Sequence, residues 1–308
     1  MKHNNRSFYK ELIFLFTLLV IVLVIFGYEL RLLSSEYTIK SITSHEIDYD
    51  KYRNYYIDDK LFNLANQKVS EVKKRYPALK NNNYANQIGY LTFSMMANSY
   101  RMKDTSLVDE NTFCRGIGRI GFNAKFKELY QYNQAILKDL VCFPVPKIVD
   151  QKEDVNYSDS WSQPRTYGGN RKHEGTDLMA SNNKRGFFPV VSITDGTIEK
   201  MGWLDKGGYR IGIRSASQGY FYYAHLDSYA PELKEGDTVI AGQLLGFMGD
   251  SGYGSEGTIG KFDVHLHLGI YVNTKDGEMS VNPYYVLQIL KKNRTKWQNG
   301  DSNGSLLR

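Results

Sequence analysis

Residues 12–28 form an unbroken apolar run relieved only by Thr17 and Gly27, and Glu29 ends it. A run of that length reaches the lower limit of a helix able to cross a bilayer, so a first segment of the chain is committed to a membrane rather than to a soluble core. Lys2, Arg6 and Lys10 precede the run, while Glu29 and Glu36 follow closely. The positive-inside rule then places the N-terminus in the cytoplasm and everything beyond about residue 30 outside. We expect a cytoplasmic tail at 1–11, a single-pass signal anchor at 12–33 in the cytoplasmic membrane, and an extracytoplasmic remainder. A cleaved signal peptide is the competing reading. The run exceeds a usual h-region, and Phe26-Gly27-Tyr28 is a poor small-residue cleavage site, which favours a retained anchor.

The 308 residues leave room for two folded regions after the anchor, and a 42% hydrophobic content is ample for a core. The formal net charge of +6 favours anionic polymers or lipid headgroups. The charge is spread along the chain, and no zinc-finger spacing, aromatic RNA-binding motif or basic heptad helix accompanies it, so a nucleic-acid partner is not expected. Two cysteines, Cys114 and Cys142, both fall in the exported part. Oxidised, they would close a loop contributing about 3 kcal/mol of stability. Two buried thiols are the alternative, since spacing alone cannot judge the geometry.

Residues 45–143 read as a small helical, membrane-proximal domain. Leu61, Leu64, Ala65, Val69, Val72 and Tyr76 recur at helical spacing through 57–76. Further helices are expected over 83–102 and 123–140, with Pro144 and Pro146 closing the region. Gly116, Gly118 and Gly121 have the spacing of a dinucleotide-binding loop. No strand-like run precedes them and no βαβ unit surrounds them, so they read as a turn.

Beyond residue 155 the texture changes to short β-branched and aromatic runs punctuated by Gly, Asp and Asn, as in a compact antiparallel β domain. Strands are expected at 192–201, 209–215, 220–225, 238–240, 244–249 and 264–271. A helix over 282–292 would start with Asn282 as N-cap and Pro283 in the first turn. The domain is assigned to 144–295 and the polar tail at 296–308 to disorder. The fold class is therefore α+β: a helical region, then an antiparallel β domain with a groove.

Four of the six histidines fall in three short motifs of this β region. In His173-Glu174-Gly175-Thr176-Asp177 an imidazole and a carboxylate stand four apart, with Gly175 letting the backbone turn. Zinc accepts both donor types at about 2.0–2.2 Å. In Phe262-Asp263-Val264-His265-Leu266-His267-Leu268-Gly269 the alternation is strict, so Val264, Leu266 and Leu268 face the core while His265 and His267 share the opposite face. Two unpaired imidazoles are poorly placed in a cleft unless they bind something. His225 ends another β-rich run. Together these supply five groups where a catalytic zinc needs three ligands, an open position and proton-handling partners.

This ordered set, H-x-x-x-D, a histidine at a strand end, then H-x-H, resembles the lysostaphin-like zinc metallopeptidases over roughly residues 160–285. The resemblance implies that His173, Asp177 and His267 hold one zinc ion, that His265 is the general base, and that His225 hydrogen-bonds the attacking water or the developing oxyanion. It also implies a small antiparallel β domain that cleaves peptides of peptidoglycan. Tyr167 and Asn170, just before the first motif, are candidate groove residues. Two rivals remain. The Lys234-Glu235-Gly236-Asp237 and Gly242-Gln243-Leu244-Leu245-Gly246 turns resemble those of biotinyl and lipoyl carrier domains, but no modifiable hairpin lysine accompanies them. A catalytically silent scaffold that activates other wall hydrolases is the stronger rival, although no motif residue has been lost here.

Overall fold

The computed structural model describes residues 4–102, 107–166, 170–298 and 306–307. Its first element is a single helix, α1 (Asn4–Ser44), 41 residues long. The apolar stretch has mean hydropathy 2.6, none of it is buried against the chain, and the helix is long and apolar enough to cross a membrane. Its last turns behave differently. Ile39 and Ile42 are buried with Phe93, Phe113 and Ile117, Ser35 and Thr112 share a buried 2.7 Å hydrogen bond, and Glu36 pairs with Arg115 and Arg119. The helical region thus includes the end of α1 and starts earlier than residue 45.

Five more α-helices follow in this region among the described residues: α2 (Tyr49–Arg53), α3 (Asp59–Arg75), α4 (Gln87–Ala97), α5 (Glu110–Ile120) and α6 (Ala124–Leu137). In α3 the side chain of Asp58 caps the N-terminus, and Leu61, Ala65, Val69 and Val72 bury one stripe, as the spacing predicts. Helix α4 is shorter than expected, because Ser99 and Tyr100 take positive φ values of 49° and 66° just after it. The glycines read as a turn instead lie in α5 and at its C-cap. A Cβ on Gly116 would meet Phe93 at 2.6 Å, so this glycine serves close helix packing. Cys114 and Cys142 are both free. Cys114 sits in α5, while the buried Cys142 thiol donates to the Ser192 carbonyl at 3.2 Å, so of the two readings the structure has the unpaired thiols.

The β region is an antiparallel sheet in the spatial order Thr238–Val239, Gly196–Leu204, Gly208–Ser215, Tyr220–Tyr229, His265–Thr274, Thr176–Ala180, Val155–Asn156. Leu244–Met248 pairs with both Pro189–Val191 and Tyr220–Tyr229, and Gly277–Val281 pairs with His265–Thr274. The sheet does not close on itself, and the whole is an α+β fold. Helix α7 (Pro283–Leu290) has the expected Asn282 cap, whose side chain accepts from Tyr284 N. Lys296–Trp297 pairs in parallel with Lys147–Ile148 and Trp297 is 4% exposed, so the tail assigned to disorder begins as a buried strand. Leu306–Leu307 pairs with it in turn. The rest of that tail, 299–305 and 308, lies outside the described residues. One continuous core joins Leu61, Leu91 and Ile136 of the helical region to Val190, Ile270 and Leu287 of the β region.

Candidate metal centre

The His265–Thr274 strand lies between Tyr220–Tyr229 and Thr176–Ala180, and its register sets His267 opposite Asp177 on one side and Ala224 on the other. Val264, Leu266 and Leu268 are buried at 3%, 0% and 0% exposure, so period-two alternation sends both histidines to the opposite face. His173 enters from the preceding loop, held by its N–H to the Gln163 carbonyl (2.9 Å) and by its own carbonyl accepting from Ser162 N (2.9 Å). Gly175 does not provide a positive-φ turn. A Cβ there would lie 2.4 Å from His267 Cε1 and 2.7 Å from the Leu268 carbonyl oxygen, so the missing side chain is the space the His267 ring needs.

Three donor atoms converge. His173 Nε2 is 3.0 Å from Asp177 Oδ1 and 3.0 Å from His267 Nδ1, and His267 Nδ1 is 2.9 Å from Asp177 Oδ1. His173 Nδ1 lies 3.0 Å from the Ser160 carbonyl. Nδ1 also lies 3.1 Å from Arg165 Nη2, while Nε2 faces the cluster. Two imidazole lone pairs and a carboxylate at this separation repel one another unless a cation lies between them. Ligands of a tetrahedral zinc stand about 3.3 Å apart, so the residues present fit such an ion with small adjustments. Burial acts to raise the Asp177 carboxyl, but the close approach of the His173 and His267 imidazoles outweighs that and holds it well below the usual carboxylate range. Burial lowers the His267 imidazole despite the opposing pull of Asp177. A carboxylate and a neutral imidazole are the forms a metal ion requires.

His265 and His225 stand beside this cluster. The His265 and His225 rings are 4.8 Å apart, and the His225 and His267 rings 5.9 Å. His265 Nδ1 lies 2.7 Å from the Asp263 carbonyl and His225 Nδ1 lies 2.8 Å from the Ser251 carbonyl. Both therefore keep a free Nε2. Burial, reinforced by His265 and His267, pushes His225 well below the usual imidazole range. His225 does not end its strand. It sits within Tyr220–Tyr229 at φ +64°, beside register shifts against two of that strand's three partner strands, and such irregularities re-aim a side chain.

Several neighbours were not legible in sequence. Arg165 Nη2 donates to Asp177 Oδ2 at 2.6 Å, Tyr222 packs edge-on to His267 at 6.1 Å, and Phe262 and Tyr253 enclose His225. Of the two candidate groove residues, Tyr167 lies outside the described residues. Asn170 is exposed and is not among the residues lining the cleft. The cleft that contains all five motif residues has a volume of about 820 Å³.

Residues 171–283 match peptidase family M23. An L-Ala–D-Glu endopeptidase of Bacillus subtilis (strain 168) is 37% identical over 194 residues, covering 63% of this chain and 57% of that protein. Lysostaphin of Staphylococcus simulans is 34% identical over 97 residues, 31% of this chain and 18% of that protein. The chain thus spans little more than half the length of the first relative and under a fifth of the second. A crystal structure of a candidate glycyl-glycine endopeptidase from Ruminococcus gnavus covers 84% of this chain and 97% of its own, at 38% identity and a TM-score of 0.67.

Proposed function

The chain belongs to peptidase family M23, and from that premise we propose that it is a membrane-anchored zinc endopeptidase that hydrolyses peptide cross-links of peptidoglycan. The observation that carries this reading is the convergence of His173 Nε2, Asp177 Oδ1 and His267 Nδ1 within 3.0 Å of one another, with two further imidazoles beside them. A zinc ion held by these three would lower the pKa of a bound water to about 7 and polarise the scissile carbonyl.

The remaining steps fall to the chain's own residues. His265 Nε2, free because Nδ1 is committed to the Asp263 carbonyl, takes the proton of the attacking water and returns it to the leaving amine. His225 is fixed in the same tautomer by Ser251. Neutral, with its proton on Nδ1, its Nε2 accepts a hydrogen bond from the attacking water and holds it for attack. Phe262 and Tyr253 limit the solvent that reaches it. Helix α1 serves as the anchor with the N-terminus inside, which sets the cleft on the wall side of the membrane.

The test uses the full-length protein in detergent. Metal analysis should find one zinc per chain, and incubation with purified peptidoglycan should release cross-link peptides identifiable by mass spectrometry. Zinc-replete protein that releases none would overturn the peptidase reading.

A further inference from the structure

The walls of the cleft are strongly and unevenly charged. Arg165, Arg171, Lys172, Lys206, Arg210 and Lys261 line it, against only Glu174, Asp177 and Glu278. Each of those acids is already engaged. Asp177 faces Arg165 at 2.6 Å, whereas Glu174 and Glu278 pair with Arg53 and Arg214, both at 3.3 Å and both outside the cleft wall. Lys172, Lys206 and Lys261 form no ion pair among the described residues. The cleft therefore presents an uncompensated positive field to whatever enters it, and low-dielectric walls focus such a field.

Two of these cations show a more specific deficiency. Arg210 Nη1 and Arg171 Nε are buried and have no hydrogen-bond partner. The Arg210 side chain is only 12% exposed, and the nearest carboxylate, Glu235, is 4.0 Å from Nη1. A buried guanidinium donor without an acceptor is costly and rarely left so. The Arg210 backbone is well anchored. Its N–H donates to the Tyr229 hydroxyl at 3.1 Å and its carbonyl accepts from the same hydroxyl at 3.2 Å. It stands two residues from Gly212, the strand partner of Tyr222, and Tyr222 is the residue whose ring meets His267. A guanidinium with an open donor in the wall of the cleft that holds the metal cluster matches a planar carboxylate better than it matches an uncharged peptide.

Resting on the peptidase reading above, we propose that this cleft selects peptides that carry a carboxylate beside the bond to be cut, and that Arg210 is the residue that receives it. A glycine bridge offers no such group and would leave the buried donor unpaired, which is the strongest basis a site has for rejecting a substrate. The same reasoning makes Arg171 a secondary contact, since its Nη2 already donates to the Tyr253 hydroxyl.

The test compares two peptides that differ by one functional group, L-Ala–D-Glu–L-Ala and its D-Gln counterpart, on the zinc-loaded full-length protein. A second pair, N-methylated at the L-Ala–D-Glu or L-Ala–D-Gln amide, reports binding by calorimetry without cleavage. The carboxylate peptide should bind about 10- to 100-fold tighter than the amide. Arg210→Gln should bring the two within about threefold, and Arg210→Lys, which keeps the charge but loses the fork, should fall between. Equal binding of the pair by the wild-type protein, or a preference unchanged in Arg210→Gln, overturns the proposal. If Arg210→Gln does not fold, the wild-type ratio and Arg210→Lys still decide it. Selective binding without cleavage of either unmethylated peptide would sink the peptidase reading and leave this one standing.

Discussion

Asp177 and His267 face each other as a direct cross-strand pair, Oδ1 to Nδ1 at 2.9 Å. The pairing register of two strands therefore sets two of the three candidate metal ligands, while His173 is added from the loop that leads into the Thr176–Ala180 strand. Two residues apart on one strand, His265 and His267 accordingly stand at different distances from Asp177. His267 points at the cluster, whereas His265 Nε2 stands 3.7 Å from Asp177 Oδ1.

That difference is testable by metal content. His267→Ala should lose zinc and activity together. His265→Ala should keep about one zinc per chain and lose about 10²- to 10⁴-fold in kcat, the usual contribution of a general base. Equal zinc retention in the two variants, measured after dialysis against a weak chelator, would reverse the assignment.

Gly175→Ala probes the clearance around the His267 ring. The added methyl would meet both the ring and the Leu268 backbone, and the backbone cannot swing aside as a flexible side chain can. Metal affinity should fall about 10- to 100-fold, the range seen when a ligand's support is disturbed, with stability reduced by about 1–3 kcal/mol. Chelator competition and urea denaturation separate the two effects.

The histidine strand was legible because a strict period of two leaves no choice of face, and the Asn282–Pro283 start of α7 was legible because capping chemistry is local. The rest depended on contacts distant in sequence. Nothing near Arg165 announces that it will reach Asp177, and His225 is aimed by a left-handed backbone and a register shift that only its strand neighbours impose. Helix α5 was hidden for a different reason: two glycines inside eleven residues argue against a helix on propensity. Tertiary packing overrides that preference, because Phe93 occupies the space where the Gly116 side chain would be. The strand Thr176–Ala180 was missed because it is short and overlaps the first metal motif.

The two α5 glycines should therefore respond oppositely to alanine. Gly116→Ala would put a methyl 2.6 Å from the fully buried Phe93 ring and 3.0 Å from Ile39 of α1, destabilising the protein by about 1–3 kcal/mol. Gly118 has nothing within 4 Å of its would-be Cβ, so Gly118→Ala should stabilise by about 0.5–1 kcal/mol through helix propensity alone. Chemical denaturation midpoints report both, and zinc stoichiometry should be unchanged in each.

The thiols offer a check on the separate placement of Cys114 and Cys142. Burial pushes each of them up to about 11, and the reactive species is the thiolate. Raising the pKa favours the protonated form, so at pH 8 only about one thiol in a thousand is ionised, and labelling should speed up about tenfold per pH unit until the pKa is reached. Native protein should thus label slowly with a thiol-specific reagent at pH 8, and two thiols per chain should appear on unfolding without reductant. Cys142, held by the Ser192 carbonyl, should be the slower of the two, because Cys114 is only partly buried. Recovery of fewer than two thiols from unreduced, unfolded protein would show that the cysteines had paired and that α5 must move to reach the Cys142 segment.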